Sequence, residues 1–444
     1  MHVSSRIRKM IVAVLFGRGI MAIRQIVTVP VLLSAWGVEY YGSWMILSAI
    51  PTFLAMSNLG IGTSGNLKIS HHLASNRLVE ARRVFLTSQI LIGIIGITVT
   101  AISFGMASIY ESTTSSLLGQ PALILGALLL TAFLQMSAVS AIGWWTGNGA
   151  PSKGYHHLNI GSLVAFIISI AVPMSGGDAK LLSLSLLAWQ LIWLGSFFLI
   201  TSKAFGPLVD KHNSRFDADT AFSLIKSGSG HQLGALSQAL VFQGSIVLAG
   251  HLFGSNGAAL WSALRIVTRS GNQLLEIVSA SLSPEFQVAY ASNQISKLRT
   301  LHIGGLLASF SIATIAVPSL LLFGETAFNI WTSNVFQVSS TAFWIMSLSI
   351  IPASLWINSA EVQRAANQPW RINTHFLLAA AASLLIILQL QQYKMVAMAA
   401  GAMVFDLLVA ALIMPTTLRL LNSTPRSFLL DIAVFAKNKL GRNA

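Results

Sequence analysis

Long apolar windows constrain this chain more than any other feature. Polar or turn-rich pieces divide it into windows at 11–35, 43–65, 85–107, 122–145, 157–174, 181–201, 226–252, 258–283, 301–323, 336–360, 373–390 and 396–420. A helix needs roughly 20 residues to cross the hydrocarbon of a bilayer. Twelve such windows predict an all-α membrane protein of twelve spans. Strands are disfavoured, because the windows lack period-two alternation and are too long. Charged residues make up only 9% of the chain, against about 25% in a typical soluble domain. So few charges cannot build a water-facing surface. The 444 residues include no cysteine, which excludes disulfides, a thiolate nucleophile and cysteine-bound metal. The start, "MHVSSRIRKMIVAVLF", mimics a signal peptide, but its apolar run continues to Pro30 with no small-x-small cleavage site. A retained first helix is expected.

The loops set the orientation. With the N-terminus in the cytoplasm, the cytoplasmic pieces carry 20 lysines and arginines, among them Lys68, Arg77, Arg82, Arg83, Lys211 and Lys437. The opposite side carries 2, Lys180 and Lys394. That asymmetry predicts an even number of spans with both termini cytoplasmic. It also accounts for the net charge of +14: the loops face anionic phospholipids, and nucleic acid is not expected as a partner.

Residues 36–44, "WGVEYYGSW", and 253–261, "FGSNGAALW", align at an offset of 217, which pairs Gly37 with Gly254 and Trp44 with Trp261. The same offset pairs "ASN" at 74–76 with "ASN" at 291–293. Half the chain therefore repeats. Six is an even number of spans, so the two copies insert in parallel, a known transporter plan with binding between the bundles. The expected organisation is an N-terminal six-helix bundle (1–202), a cytoplasmic linker (203–225), a C-terminal six-helix bundle (226–421) and a cytoplasmic tail (422–444).

Charge inside the spans is expensive and marks function. Arg24 lies about 20 Å along the first helix, near mid-depth, and Arg18 roughly 10 Å along, close enough to snorkel. In the eighth window Arg265, Thr268, Arg269, Asn272, Glu276, Ser279 and Ser283 fall within about 60° on a continuous helix, a polar stripe that must avoid lipid. Arg269 lies at a depth similar to that of Arg24, one arginine from each half. A cationic cavity lining is one reading of these residues. Internal pairing of Arg269 with Glu276, or of Arg24 with Asp406, is the other. Asp406, deep in the last window, is a candidate for ion coupling or for an ion pair. Gln238 and Gln243 are further polar groups within the seventh window. No Walker loop, HExxH motif or nucleophile elbow is present, and the His71–His72 and His156–His157 pairs lack converging ligands. Neither enzyme nor metal centre is expected, and energy must come from an ion gradient, the membrane potential or the substrate gradient.

The stretches "LFGRGIMAIRQIVTVPVLLSAWGVEYYGSWMI", "NLGIGTSGNLKISHHLA" and "LFGSNGAALWSALR" together resemble polysaccharide (O-antigen type) flippases of the multidrug/oligosaccharidyl-lipid/polysaccharide exporter superfamily. The resemblance runs through all twelve windows. It implies two parallel pseudo-repeated six-helix bundles forming a V around a central cavity, in a bacterial inner membrane. It implies transfer of undecaprenyl-pyrophosphate-linked oligosaccharide from the cytoplasmic to the periplasmic leaflet, with no cofactor beyond H+ or Na+ as coupling ion. Polysaccharide polymerase and chain-length regulator proteins are the implied partners. Arg24 and Arg269, then Arg265 and Arg18, match the cationic cavity residues of that family, while Asn272, Gln238 and Gln243 would meet sugar hydroxyls. A fork of guanidinium donors suits pyrophosphate. Where the family reads "LGPE", this chain reads "WGVE", with Trp36 and Val38 in place of Leu and Pro. The alternatives are a lipid II-type flippase, a multidrug/toxin exporter and, from a different class, a membrane glycosyltransferase or polymerase.

Overall fold

The computed structural model describes residues 2–57, 60–113, 117–210, 215–366, 369–428 and 430–431. Lys211, Lys437 and most of the expected tail lie outside the described residues. Every regular element among the described residues is a helix. The first elements are α1 (His2–Ser57), α2 (Ile61–Ala74), α3 (Leu78–Thr113), α4 (Pro121–Gly147), α5 (Pro151–Met174) and α6 (Ala179–Phe205). They are followed by α7 (Ala218–Ala239), a π segment at Leu240–Gly244, α8 (Ser245–Thr268) and α9 (Ser270–Ala291). Then come α10 (Ile295–Ser319), a second π segment at Leu320–Gly324, α11 (Glu325–Trp331), α12 (Ser340–Leu348), α13 (Ile350–Ala365), α14 (Pro369–Gln389) and α15 (Met395–Leu420).

Ten helical stretches among the described residues are long and apolar enough to cross a membrane, where twelve windows were expected. The difference has a local cause. Val12–Ala55, at 44 residues, spans about 66 Å as helix, twice the roughly 30 Å of hydrocarbon. It is broken at one residue, Gly37 (φ 74, ψ 171). Leu233–Thr268 is broken in the same way at Gly254 (φ 72, ψ −176). Only glycine adopts that backbone without strain, so both expected hairpins shrink to a single non-helical residue. The expected second window runs past α1 into α2, and the eighth runs through the end of α8 into α9. Neither α2 nor α9 counts among the ten.

The repeat is written into the backbone. Besides Gly37 and Gly254, Asn76 and Asn293 stand 217 apart, both left-handed at φ 57 and 54. Asparagine tolerates that region better than most residues because its amide bonds locally. Gly176 (φ 83) corresponds to Lys394 (φ 50), and Gly206 (φ 83) to Asn422 (φ 50), with the register drifting by one residue. Arg82 and Arg299 are also 217 apart, and each clamps the end of a later helix. Arg82 donates to the Pro207 carbonyl at 2.8 Å and lies 3.7 Å from Asp210. Arg299 donates to the carbonyls of Leu421 (2.8 Å) and Asn422 (3.0 Å) and pairs with Asp431 at 3.4 Å.

The chain divides into two compact units, 1–259 and 260–444. The first of these takes in α7 and the π segment after it, which pack on α1, and α7 also touches α2 and α3. In the first unit α4 is the central helix, packed on α2, α3 and α6. Its start is favoured by Pro121, whose missing N–H costs nothing in a first turn. In the second unit α13 is central, against α9, α10 and α15.

Candidate functional site

In the first unit the candidates lie on α1, α7 and the π segment. Ala13, Gly17 and Ile20 form one side of α1, and α5 closes on it: Asn159 donates to the Ala13 carbonyl at 2.7 Å, and a Cβ at Gly17 would fall on the Asn159 carboxamide. Arg24 continues that side one turn beyond buried Ile20, yet it is exposed, as is Arg18. Neither arginine has a hydrogen bond or ion pair to the described residues. Gln238 is half-buried near the end of α7, and Gln243 is half-buried inside the π segment, where the helix widens. Wide turns of this kind recur at functional sites in helices.

The second unit corrects the polar stripe. The helix expected to carry it is interrupted at Arg269 (φ −90, ψ 2), which separates α8 from α9. Seven residues of an unbroken helix would share one face; the interruption sends them to different surroundings. Thr268 is fully buried and bonds back to the Leu264 carbonyl at 2.8 Å. Ser279 donates to the Ile357 carbonyl of α13 at 3.3 Å, and Ser283 donates to Glu361 at 2.9 Å. These two serines serve packing of α9 on α13. Glu276 is exposed, off the side that buries Asn272, Leu275 and Ser279. Arg265 is half-buried with its guanidinium 6.0 Å from the centre of the Trp261 ring, a cation–π distance.

Asp406 is 1% exposed in α15, and its carboxylate accepts a hydrogen bond from the Trp356 indole at 3.0 Å. The Ser349 hydroxyl, which donates to the Met346 carbonyl at 2.8 Å, lies near the same carboxylate, and Arg269 is the cation whose field reaches it. Among the described residues, its hydrogen-bond donor is Trp356 and the charge that reaches it is Arg269. Two helix interruptions meet this acid's neighbourhood, since Ser349 stands between α12 and α13 and Arg269 between α8 and α9. Asn272, one turn into α9, is 2% exposed, and neither end of its amide has a hydrogen-bond partner among the described residues. A buried amide left so costs about 1–3 kcal/mol, which reserves it for water or a ligand.

Sequence reasoning missed the polar side of α13. Asn358 bonds the Gly305 carbonyl at 3.0 Å and the Ser309 hydroxyl. Ser359 meets His302 Nε2 at 3.0 Å, and Gln363 bonds the Ile413 carbonyl at 3.0 Å together with Thr416 and Thr417. The signal was present in "WINSAEVQ", a polar run inside a buried helix. Among the described residues no group of three or more His, Asp or Glu side chains could hold a metal ion.

No family model matches this chain, and no curated protein matches it. Solved structures do match, over nearly their whole length. An inward-facing multidrug resistance MATE family transporter of the MOP superfamily aligns with a TM-score of 0.74 and 13% identity, over 94% of this chain and 96% of its own. An outward-facing one aligns at 0.63 and 14% identity, over 97% and 96%. A MOP superfamily transporter from Pyrococcus furiosus, described as having a binding pocket of reversed polarity that suggests a different function, aligns at 0.62 and 15% identity, over 94% and 95%. The chain has the fold of these transporters.

Proposed function

We propose that this chain is an alternating-access exporter and not an enzyme. The twelve-span, two-bundle organisation is part of this reading. So are the cytoplasmic termini, which the loop charges favour. On fold alone, extrusion of drugs and toxins has the better support, because matched structures are described as multidrug resistance transporters. One observation favours an anionic cargo within that plan. Arg24 is exposed in the middle of an apolar stretch and has no partner among the described residues. Hydrocarbon does not tolerate a bare guanidinium, so Arg24 needs water or an anion. The deep carboxylate that a cationic drug would seek, Asp406, is held by Trp356. An undecaprenyl-pyrophosphate-linked oligosaccharide, the cargo implied by the sequence resemblance, supplies the anion. Arg24 and Arg269 would take the pyrophosphate, and Arg18, Arg265, Asn272, Gln238 and Gln243 are the secondary candidates. Asp406 is the proposed carboxylate for a coupling H+ or Na+.

Two complementation assays separate the cargoes. The chain is expressed in a strain lacking its lipid-linked oligosaccharide flippase and in a strain lacking its multidrug exporters. Restored surface polysaccharide, lost in Arg24→Gln and Arg269→Gln at equal membrane levels, is the expected result. Drug resistance without polysaccharide rescue would replace the flippase reading by multidrug extrusion. Failure of both would sink the exporter.

A further inference from the structure

Two side-chain bonds join α2 to α7 within the first unit. Ser64 donates to the Leu224 carbonyl at 3.1 Å, and the Lys68 ammonium donates to the Ser223 hydroxyl. Lys68 lies about 9 Å before the end of α2, so its stem can follow the helix and carry the charge towards the loop. The loop adds further donors. Arg77 lies 3.4 Å from His71 Nδ1, and the fields of Arg77, Glu80, His71 and Lys68 all reach His72. Two permanent cations therefore share one neighbouring carboxylate. Among the described residues neither Lys68 nor Arg77 has an acid within ion-pair range, whereas Arg82, Lys297, Arg299 and Arg364 each have one. The loop charges favour the cytoplasm for this end of α2.

The second repeat carries the same corner in a closed form. At the offset of 217, Lys68 corresponds to Glu285 and Glu80 to Lys297. The signs are exchanged, and there the two groups pair at 3.1 Å. Arg77 corresponds to Gln294, and His71 and His72 to Val288 and Ala289. The second copy is thus neutral at these positions, while the first keeps a surplus positive charge. That surplus borders apolar surface. Leu67 and Phe222, the sequence neighbours of Lys68 and Ser223, are exposed, and so is Ile225 nearly one turn further along α7. Cations beside exposed apolar side chains match a molecule with an anionic head and acyl chains. Basic pockets between membrane helices on the cytoplasmic side bind headgroups of this kind. A phosphate there accepts charge-assisted bonds from both the ammonium and the guanidinium.

We propose that Lys68, Arg77 and Ser223 hold the phosphate of an anionic phospholipid of the cytoplasmic leaflet, its acyl chains lying along Leu67 and Phe222. None of these residues is a cargo candidate, so the site does not depend on the exporter reading. Lys68→Glu/Glu80→Lys gives the first repeat the ion pair of the second and leaves the net charge unchanged. Native mass spectrometry of the full chain in detergent, titrated with phosphatidylglycerol, reads the Kd of the first lipid bound. That Kd is expected to be at least fivefold tighter than the Kd for phosphatidylcholine. It should weaken at least fivefold in Lys68→Glu/Glu80→Lys and in Lys68→Gln/Arg77→Gln, and stay unchanged in Lys180→Gln/Lys394→Gln. Equal affinity for the two lipids, or an unchanged Kd in both site variants at unchanged Tm, would overturn the proposal. Displacement of the lipid by equimolar glycerol 3-phosphate would overturn it in favour of a free phosphate. Displacement by equimolar undecaprenyl pyrophosphate would overturn it in favour of the cargo.

Discussion

α4 in the first unit and α12–α13 in the second occupy corresponding places in the two repeats, yet they are held in place by different physics. α4 is buried along most of its length by apolar and small residues. Gly143 lets α2 approach until a Cβ would strike the Asn66 carbonyl and Ile69, and Gly147 does the same against Leu73. Its polar contacts are fewer than those of α13: Gln89 of α3 reaches the Ser137 carbonyl at 3.2 Å and the Ser140 hydroxyl at 2.7 Å, Trp145 donates to the Thr201 hydroxyl at 3.0 Å, and Ser70 donates to the Gly143 carbonyl at 3.2 Å. α13 instead fastens its neighbours through Trp356, Asn358, Ser359 and Gln363. Between buried helices in lipid there is little hydrophobic drive to associate, so close packing and interhelical hydrogen bonds are the two remaining means. α4 leans more on the former and α13 more on the latter. Close packing is indifferent to which partner is present, whereas directional bonds require each group to find its mate. Unsatisfied buried groups occur in both units: Trp144 Nε1 on α4 and Gln190 in the first, Asn272, His302 Nδ1 and Asn358 Oδ1 in the second.

The largest break in this contrast should come at Asp406. Removing the buried carboxylate leaves the Trp356 indole without its acceptor and Arg269 without its neighbouring charge, at a cost of about 1–3 kcal/mol. Asp406→Ala should lose that much in a denaturant titration of the detergent-solubilised protein, and a loss below about 1 kcal/mol would show that Trp356 and Arg269 do not depend on it. Next comes Gly143→Ala in α4, where overpacking should cost about 1–3 kcal/mol. The repeat-equivalent position already holds a buried alanine, Ala360, so the reverse change, Ala360→Gly, should cost only the helix propensity of about 1 kcal/mol. Equal losses at the two positions would erase the distinction between the helices. A smaller effect is expected from Asn358→Ala, which installs the residue that the first repeat carries at Ala141. About 1 kcal/mol should disappear with its bonds to Gly305 and Ser309, read as a lowered Tm.

The smallest effect is one of pH and concerns helix starts. Asp217 caps α7, accepting from the Thr220 hydroxyl and from the Thr220 N–H at 2.9 Å. These bonds, the hydroxyl's first, hold its carboxyl below the ordinary carboxylate range. Its contribution is therefore complete above that range and is lost as pH falls through the lowered value. Ser339, which caps α12 in the second unit, has no such titration. A small acid-side decrease in Tm that vanishes in Asp217→Asn would attribute this sensitivity to the first unit, and an unchanged decrease would place it elsewhere.

Much of the fold was legible in the sequence because it rests on local rules. The apolar windows became helices, and the paired Gly37/Gly254 and Asn76/Asn293 took matching backbone conformations. Glycine and asparagine carry that preference wherever they stand. The break at Arg269 was not legible. A polar stripe reads the same whether its helix is continuous or interrupted, and nothing in "IVTRSGNQ" announces the interruption. The one-residue size of the breaks at Gly37 and Gly254 also escaped, since turn residues mark a place but not a length.

By itself, then, the sequence determined the apolar windows of this protein, its helical content and the spacing of its repeat. Each follows from hydrophobicity, charge and backbone sterics acting over at most a few turns. Only the tertiary structure decided that Asp406 bonds Trp356, fifty residues away, that Ser279 and Ser283 belong to helix packing, and that Arg24 stays exposed. Those outcomes depend on which helix lies beside which, and on how far each is turned about its axis. Polar groups of interchangeable chemistry are told apart only by that geometry.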